Sequence, residues 1–256
     1  MSFKTYSKLQ KLTLLIDADL YLFRATIACE EEIEWDTDLW SLNCDVKKAR
    51  EIFKKQIEDW CTFFGTSQFI LCFSDRENFR KEVCKEYKLN RKKTRKPVGY
   101  RAIVDWAKQN YSYALEPFLE ADDILGIIST HPENKGNTIV ISDDKDMKTI
   151  PCHLFRPMSG EETVITEEEA DRHFLTQCLT GDVTDGYKGC PTVGAKTAEK
   201  ILGGRPDWSL VETSYLKQGL SRDDAIQQSR LARILRYEDW DFEKGLIKLW
   251  KPRRVR

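Results

Sequence analysis

The chain has 256 residues, 41% of them hydrophobic and 32% charged, with a formal net charge of −1. This length allows one full hydrophobic core, either as one domain or as one domain with a small appendage. No apolar segment approaches the roughly 20 residues of a membrane span, and the N-terminus lacks the apolar region of a signal peptide. The eight cysteines include no Cys-x-x-Cys pair and the three histidines are scattered, so we expect a cytoplasmic protein without a disulfide framework or a zinc site.

The first two thirds of the chain predict an α/β fold. Short, β-rich apolar runs alternate with segments of helical periodicity, which is typical of buried parallel strands. The predicted strands cover residues 12–16, 68–74 and 138–142. The predicted helices cover residues 20–29, 45–64 and 100–109, and a further helix begins at Glu120. We expect residues 1–11 to be a disordered leader, and residues 30–43 to form a loop or a short hairpin.

Each predicted strand is followed by aspartate. Asp17 follows the first and Asp75 the second, and Asp143, Asp144 and Asp146 follow the third. In open α/β sheets the functional site lies beyond the carboxyl ends of the strands. A single Asp after a strand is often only a turn former or a helix cap. Three strands that end in this way predict one acidic pocket.

Three further carboxylates stand where the Glu120 helix begins. Glu120, Asp122 and Asp123 interrupt an otherwise apolar run. Closely packed like charges in a partly buried site repel one another, and each loses hydration unless a positive charge compensates it. The alternative is that these acidic residues simply begin a helix, where its dipole favours them. Because the strand-end carboxylates lie beside them, we favour a divalent metal ion.

Residues 76–101 form a basic segment. It contains eleven Lys or Arg and three Glu, a net charge of +8, with Phe79, Tyr87 and Tyr100 among them. Basic stripes with interleaved aromatic side chains suit a nucleic-acid backbone and its unstacked bases. The alternative is a solvated helix face. The first half, through about Tyr87, has helical propensity.

The last third of the chain predicts a hairpin and then helices. Residues 151–165 carry two short β-like pieces with a turn between them. Thr166 and Glu169 form a capping box for a helix that runs to about residue 180. Near the C-terminus we expect helices over about residues 222–235 and 239–249.

A second acidic motif precedes a glycine-rich turn. Asp182 and Asp185 are followed by the turn at residues 189–194, which opens a short helix. Such a turn presents backbone N–H groups to a phosphate, and Lys196 adds positive charge.

The motifs of the chain occur in a fixed order. They are Asp17, Asp75, Tyr87-Lys88-Leu89-Asn90-Arg91, Glu120-Ala121-Asp122-Asp123, Asp144-Lys145-Asp146, Gly181-Asp182-x-x-Asp185 and Gly189-Cys190-Pro191-x-Val193-Gly194-Ala195-Lys196-Thr197-Ala198. Over roughly residues 12–205 this order resembles the structure-specific 5′-nucleases, a superfamily of flap endonucleases, 5′-nuclease domains of bacterial DNA polymerase I and phage 5′→3′ exonucleases. The residues within these motifs are most similar to those of the phage exonucleases. The chain departs from the family pattern at two positions. Gly186 stands where the family has Asn, and Asp143 is an extra aspartate beside Asp144, which the alignment with the family favours as the metal ligand.

The resemblance implies an architecture. A PIN-like α/β nuclease domain, with a mostly parallel central sheet flanked by helices, would cover residues 1–165. A helical DNA-binding region would cover residues 166–256. A helical arch would span about residues 76–101, and a helix–three-turn–helix clamp would span about residues 181–202.

The resemblance also implies the site residues. Two Mg²⁺ or Mn²⁺ ions, which hard oxygen ligands suit, would be held by Asp17, Asp75, Glu120 and Asp122 and by Asp144, Asp146, Asp182 and Asp185, with Asp123 nearby. The catalytic residues would be Asp17, Asp75 and Lys88, which contacts the scissile phosphate, with Arg80 as a second candidate. Tyr87 would either stack on a frayed base or lie in the core. The other implied DNA contacts are Arg91, Lys92, Lys93, Gly189, Val193, Gly194, Lys196 and Thr197. A K⁺ ion is implied at the turn of the clamp.

The resulting hypothesis is a divalent-metal-dependent 5′→3′ exonuclease or flap-type nuclease. Its substrate would be DNA with a free 5′ end, a nick or a 5′ flap, and it would also remove RNA from RNA–DNA hybrids. It would serve phage DNA replication or genome degradation in the cytoplasm of a bacterial host, without a membrane or an obligatory protein partner. One alternative is a PIN-type ribonuclease, although these are usually shorter and lack the clamp. Another is a nucleic-acid-binding protein whose catalysis has decayed, although all the matching positions are still acidic.

Overall fold

The computed structural model describes residue 6 and residues 8–93, 95–204 and 206–252, except for the side chains of Lys92 and Lys93. Its strands are β1 (Thr13–Asp17), β2 (Glu30–Asp36), β3 (Leu39–Cys44), β4 (Gln68–Cys72), β5 (Tyr113–Ala114), β6 (Thr138–Ile141), β7 (His153–Arg156), β8 (Glu161–Val164), β9 (Trp240–Asp241) and β10 (Leu246–Ile247). Its α-helices are α1 (Ala18–Ile27), α2 (Val46–Phe63), α3 (Arg80–Val83), α4 (Tyr100–Asn110), α5 (Ala121–Ser129), α6 (Glu167–Thr180), α7 (Ala195–Leu202), α8 (Trp208–Lys217) and α9 (Arg222–Ala232). None of the described helices combines the length and the apolar character that crossing a membrane requires.

The central sheet has the strand order β5-β4-β1-β6-β7-β8. Its strands are parallel except for β8, which runs antiparallel to β7. The middle strand β1 is buried along its whole length, and its Leu15 pairs with Ile70 of β4 and with Val140 of β6. Because the chain continues to β4 on one side of β1 and to β6 on the other, a cleft opens beyond the carboxyl end of β1.

Side chains of β1 alternate between two cores. Leu14 and Ile16 pack with residues of α1, α2 and α4 on one face of the sheet. Leu15 packs on the other face with α5 and with Leu235, which lies beyond α9. A third core joins α6 to α9 around Phe174 and Trp208. It also includes Tyr87, so that the C-terminal helices pack against the basic segment.

Most predicted elements are confirmed. The three predicted strands are β1, β4 and β6, and the predicted helices at residues 45–64 and 100–109 are α2 and α4. Residues 30–44 form the β2–β3 hairpin, and β7 and β8 form the second hairpin. The capping box of α6 is present in both directions, since Thr166 and Glu169 exchange side-chain-to-backbone hydrogen bonds.

The predicted helix at residues 239–249 is wrong. This stretch forms the small β9–β10 hairpin, and the carboxylate of Asp241 accepts hydrogen bonds from the amides of Glu243 and Lys244. An aspartate that bonds its own following backbone favours a turn over a helix. In addition, α9 ends at Ala232 rather than at residue 235, and α8 was not predicted.

The basic segment is less helical than predicted. Of its first half only α3 is α-helical, and a 3₁₀ turn follows at Leu89–Lys93. Arg80 and Tyr87 are both buried, which ties the segment to the acidic cleft and to the C-terminal helices. The described residues between 76 and 101 therefore contain no arch of long helices.

The predicted leader also needs a correction. Tyr6 is buried, and its hydroxyl donates a hydrogen bond to the carbonyl of Tyr113 at 2.7 Å. The amide of Leu9 donates to Asn134 Oδ1 at 2.8 Å. Residues 1–5 and residue 7 lie outside the described residues.

Candidate active site

Asp17 lies at the centre of the acidic cleft, at the end of β1. One carboxylate oxygen accepts the amide of Leu20 and so caps α1, and the other accepts the hydroxyl of Ser142 at 2.8 Å. Burial raises the pKa of Asp17 to about 7, and the charges of Asp19 and Asp144 add to this effect, against the hydrogen bonds from Ser142 and Leu20. This carboxyl group therefore lacks a compensating positive charge.

Asp122 and Asp144 face Asp17 from neighbouring elements. Asp122 lies in the first turn of α5, and Asp144 caps the 3₁₀ turn Lys145–Thr149 after β6. Burial raises the pKa of Asp122 well above its ordinary value, and repulsion from Asp17, Asp144 and Glu120 raises it further. The strand-end prediction is thus met by Asp17 and Asp144, because parallel strands bring their carboxyl ends together.

Asp146 extends the same group. Its pKa is raised to about 6, first by burial and then by Asp144, against the nearby Lys145. Gln177 of α6 donates a 2.6 Å hydrogen bond to its Oδ1. Gln177 could not be predicted from the sequence, because a lone glutamine inside a helix carries no motif.

Glu120 and Asp185 already have cationic partners. Lys88 Nζ lies 2.5 Å from Glu120 Oε1 and 3.4 Å from Asp185 Oδ2, and Arg91 lies 2.5 Å from Asp185 Oδ1. Although burial opposes it, Lys88 and Arg80 lower the pKa of Glu120 to about 2. Burial likewise acts to lower the pKa of Lys88, but Glu120 and Asp185 outweigh it and raise that pKa. Lys88 is therefore an ammonium ion held among carboxylates.

Asp182 is bound to Lys145 and to the backbone of its own loop. One oxygen accepts Lys145 Nζ at 2.8 Å, and the other accepts the amides of Thr184 and Asp185. Burial acts to raise the pKa of Asp182, but these hydrogen bonds lower it overall. Asp182 thus stabilises the loop of Thr184 and Asp185, and Lys145 is its contact toward Asp144 and Asp146.

Two loops approach closely at Lys88. Its amide donates to the carbonyl of Asp185 at 2.8 Å, and its backbone has a φ of +55°. Gly186, which has a φ of +77°, lies where a Cβ atom would be 3.4 Å from the backbone of both Glu86 and Lys88. A glycine in place of the family's asparagine suits this left-handed backbone and close approach.

Arg80 and Asp123 form a buried ion pair beside the acidic group, and Arg80 also donates to Glu120 Oε2 at 3.2 Å. Their two parallel bonds measure 2.7 and 2.8 Å, and the guanidinium also donates to the carbonyls of Leu231 and Arg233. Asp123 additionally accepts the amide of Leu235. Exposed fractions are 2% for Arg80 and 0% for Asp123. In this arrangement both side chains have structural partners, and Asp123 as a metal ligand and Arg80 as a catalytic residue stay predictions.

Tyr87 lies in the core rather than on a base-stacking surface. Its ring is 2% exposed and packs in the C-terminal core, so it cannot stack on a base in this arrangement. Its hydroxyl lies 3.0 Å from both Glu120 Oε2 and Asp185 Oδ2. Tyr87 therefore positions these two carboxylates.

Asp75 is engaged away from the other strand-end carboxylates. Its oxygens accept the amides of Arg76 and Phe118. Asp19, which was not predicted, accepts the amide of Ser74 at 2.7 Å and the hydroxyl of Tyr100 at 2.9 Å. The spacing of Asp17 and Asp19 at a strand end was the available signal. Asp75 as a catalytic residue and metal ligand would need its loop to shift.

Asp143 and Asp144 are separated by their partners. Asp143 forms an ion pair with Arg24, lies near the hydroxyl of Tyr21 and accepts the amide of Met158. The charge of Asp144 instead raises the pKa values of Asp17 and Asp122. This is the choice that the family register favours.

The glycine-rich turn is only partly open. The amide of Gly189 donates to Gln228 Oε1, and a Cβ atom there would stand 2.2 Å from the Gly181 amide nitrogen. The amide of Val193 bonds the carbonyl of Cys190. Both amides therefore have partners in this arrangement, Gly189 in α9 and Val193 within the turn, and the phosphate contacts through them stay predictions.

The first turn of α7 remains open. Gly194, Lys196 and Thr197 are exposed, although the Thr197 amide is bonded to the Gly194 carbonyl. Gly194 has a φ of −93°, and a Cβ atom there would meet nothing within 4 Å. The side chains of Lys92 and Lys93 lie outside the described part of the chain, so that these two predictions stay predictions.

The cleft offers ligands that fit a divalent cation. A cavity of about 20 Å³, room for one water or ion, lies among residues that include Glu120, Asp122, Asp146 and Asp185. Their oxygens are those that Mg²⁺ and Mn²⁺ prefer. As the side chains stand, no three carboxyl, imidazole or thiol groups of the described residues surround one point.

The family model of the 5′-3′ exonuclease N-terminal resolvase-like domain matches residues 12–174. The chain belongs to the 5′-3′ exonuclease family. It is 33% identical to the exodeoxyribonuclease of Enterobacteria phage T3 over 94% of this chain and 93% of that protein. Identity to the exonuclease of Escherichia phage T7 is also 33%, over 93% of each chain. The protein is accordingly an enzyme, a 5′-3′ exonuclease.

Solved structures agree with the fold of this 5′-3′ exonuclease. A bacteriophage T5 flap endonuclease, crystallised as a pseudo-enzyme–product complex with DNA and metal ions, matches with a TM-score of 0.62 at 15% identity, over 86% of this chain and 89% of that one. The catalytic core of Rad2 in complex with a DNA substrate matches with a TM-score of 0.50 at 12% identity, over 84% of this chain and 67% of that one. The predicted PIN-like α/β fold is thereby confirmed.

Proposed function

We propose that this 5′-3′ exonuclease hydrolyses DNA phosphodiesters at 5′ ends, nicks and flaps with the aid of two Mg²⁺ or Mn²⁺ ions. The observation that carries the proposal is the uncompensated carboxylate group at the ends of β1 and β6 and the start of α5. The raised pKa values of Asp17, Asp122 and Asp146 mark a site that needs added positive charge. A decayed nuclease would have no reason to keep this unfavourable arrangement.

The carboxylates divide into two proposed ligand sets. Asp17, Glu120 and Asp122 would hold one ion, joined by Asp75 if its loop shifts. Asp144, Asp146, Asp182 and Asp185 would hold the other, partly through water. When bound, such ions activate water and neutralise the leaving oxygen.

Lys88 would change partners during the reaction. In the present arrangement its ammonium group is bound to Glu120 and Asp185. Once these carboxylates are engaged otherwise, its Nζ is free to bind the scissile phosphate. In the present arrangement Glu120 and Asp185 raise the pKa of Lys88, so the group is charged before it meets the phosphate, whose negative charge would favour the ammonium form in their place. The nearby Tyr87 would hold Glu120 and Asp185 in place.

The start of α7 would bind the duplex away from the cut. Gly194 and Lys196 are exposed there, at the positive end of the helix dipole. The T5 relative was crystallised with DNA, which supports a DNA-binding role for this chain. We further propose a K⁺ ion at the turn of residues 189–194.

The wider role follows from the relatives. Because the T3 and T7 proteins are phage exonucleases, we propose a role in phage DNA replication or genome degradation. Removal of RNA from RNA–DNA hybrids is part of the proposal. A PIN-type ribonuclease is disfavoured, since the family match runs through residue 174 and the phage relatives align over nearly the whole chain.

Metal dependence is the direct test of the proposed chemistry. We expect cleavage of a 5′-labelled DNA in Mg²⁺ or Mn²⁺ and none in excess EDTA, because the carboxylate group cannot approach a phosphate without added cations. The assay compares a flap, a nick, a blunt end and an RNA–DNA hybrid. Full activity in EDTA would contradict the two-metal mechanism. Cleavage of single-stranded RNA alone would favour the alternative of a PIN-type ribonuclease.

A second test separates the α7 contact from the chemistry. Lys196→Ala should weaken duplex binding and reduce the salt dependence of affinity by about one unit of slope, because one phosphate contact is lost. Gly194→Val should weaken binding at a cost of about 1 kcal/mol in stability, because Val is a poorer N-cap for α7 than Gly, although its φ suits any residue and its surroundings are open. Lys88→Ala should instead lower the single-turnover rate with little loss of binding. If affinity and slope are unchanged in Lys196→Ala, α7 does not contact DNA.

A further inference from the structure

The β2–β3 hairpin stands apart from the central sheet. Among the described strands, β2 and β3 pair only with each other, so both outer edges offer unpaired backbone groups. A two-stranded hairpin of this kind is marginally stable on its own. Neither the proposed chemistry nor the α7 contact uses it.

Large apolar side chains cover both faces of the hairpin. Trp35 is 67% exposed and Trp40 is 55% exposed, and Leu39 and Leu42 are exposed beside them. Residues that pair directly share a face, so Trp40 lies on the same side as Glu34. The indole of Trp35 donates to Ser41 Oγ at 2.7 Å on the opposite side. Exposed apolar side chains grouped in this way mark an interaction surface.

The hairpin is strongly acidic. Residues 30–38 contain four Glu and two Asp, and residues 25–46 contain no Lys or Arg. Such a surface repels a nucleic-acid backbone, which binds through Lys and Arg. It also disfavours pairing of two hairpins, because like charges on facing strands repel. A basic protein segment is the occupant that complements both the charge and the tryptophans.

The base of the hairpin is held firmly. Glu30 makes two 2.7 Å hydrogen bonds to the guanidinium of Arg95 and accepts the amide of Val98 at 2.7 Å. At the other strand end, Cys44 packs against the core. The hairpin is thus presented as an ordered surface next to the basic segment rather than as a loose loop.

We propose that the β2–β3 hairpin is a docking site for a basic protein segment. The segment would pair in extended form with an outer edge of the hairpin, its Lys or Arg on the face that carries Glu32, Glu34 and Trp40, and its apolar side chains on the opposite face against Trp35.

The probe for this site is a fluorescent 12-residue peptide that alternates Lys with Val, beside a counterpart with Glu in place of Lys. We expect the Lys peptide to bind the full chain, more weakly at high salt, and the Glu peptide not to bind. The double variants Trp35→Ser/Trp40→Ser and Glu32→Lys/Glu34→Lys should each weaken binding at least about tenfold, as loss of an aromatic anchor or of paired charge does. The matched controls are Met158→Ser, which is exposed elsewhere, and Glu51→Lys on α2, and both should bind as the unaltered protein does.

Three results would overturn the proposal. The first is a Lys peptide that does not bind, or that binds the double variants as well as it binds the unaltered protein. The second is a loss of DNA affinity in the hairpin variants without a change in peptide affinity, which would make the hairpin a nucleic-acid contact. The third is a dimer in sedimentation that the Trp35→Ser/Trp40→Ser variant abolishes, which would make a second copy the occupant. Far-UV circular dichroism and DNA cleavage of each variant verify that the fold and the nuclease site are intact.

Discussion

Replacing Asp122 with Asn should lower the rate of DNA cleavage by about a thousandfold or more while DNA binding stays intact or improves. A ligand to catalytic cations contributes several kcal/mol to the transition state, and each 1.36 kcal/mol corresponds to about tenfold in rate. Binding should not suffer, because removing one charge from the cleft reduces its repulsion of phosphate. Cleavage is measured in Mg²⁺, and binding by gel shift in Ca²⁺.

The same substitution should stabilise the metal-free protein at pH 8. The pKa of Asp122 is raised in the folded state, as is that of Asp17, so folding favours the protonated acids. An acid whose pKa is raised on folding stabilises the protein only while it is protonated. For Asp17 this stability is lost as the pH rises from its unfolded-state pKa of 3.8 to its folded-state pKa of about 7. Asp122→Asn removes the corresponding loss at Asp122, so its melting temperature in EDTA should exceed that of the unaltered protein by several degrees at pH 8 and by less at pH 5.

Asp143→Asn is the matched control for Asp122→Asn. Asp143 lies in the same cleft region but is bound to Arg24 and Tyr21. The Asp143→Asn variant should therefore keep most of the cleavage activity. If Asp143→Asn abolished cleavage and Asp122→Asn did not, the assignment of the ligands would be wrong.

The second large effect concerns stability rather than catalysis. Arg80→Gln should lower the free energy of unfolding by roughly 3–5 kcal/mol, because it leaves the buried Asp123 carboxylate without its counter-ion. For a chain of this size that corresponds to a melting temperature lower by roughly 10 °C. Thermal unfolding followed by circular dichroism measures the change.

Two variants sharpen this test. Arg91→Gln removes a half-exposed arginine that also pairs with a carboxylate, Asp185, and should cost no more than about 1 kcal/mol. Arg80→Met combined with Asp123→Leu removes both buried charges and should recover much of the lost stability. A stable Arg80→Gln protein that has lost cleavage would support the catalytic role predicted for Arg80.

The location of the active site could be predicted from the sequence. The apolar runs that became β1, β4 and β6 are continuous rather than alternating, which indicated buried parallel strands. Parallel strands bring their carboxyl ends to one edge, which predicted that Asp17 and Asp144 would converge. Asp75 follows β4 in the same way, but its loop binds it to the amides of Arg76 and Phe118. The helix that starts at Glu120 was equally predictable, since its carboxylates interrupt an apolar run.

The partner of each charged side chain was decided only by the tertiary structure. Glu120, Asp122 and Asp123 are neighbours in sequence, yet Asp123 faces Arg80 in the core, Glu120 faces Lys88, and Asp122 faces Asp17. Successive residues of a helix point about 100° apart, so one acidic motif distributes its members to different surroundings. Arg80 and Asp123 lie 43 residues apart, and no local pattern reports such a pairing.

The same limit explains Tyr87, Gly189 and the C-terminal hairpin. A tyrosine in a basic run suits a base-stacking surface, but its ring fills a core that α6 to α9 build much later in the chain. Gly189 suits a phosphate turn, but its backbone packs against Gly181. The sequence by itself therefore determined the fold class, the family and the edge of the sheet that holds the chemistry, because these depend on local periodicity and motif order. Only the tertiary structure decided which carboxylates are neutralised and which are left for a cation, because burial and long-range pairing set the charge of each group.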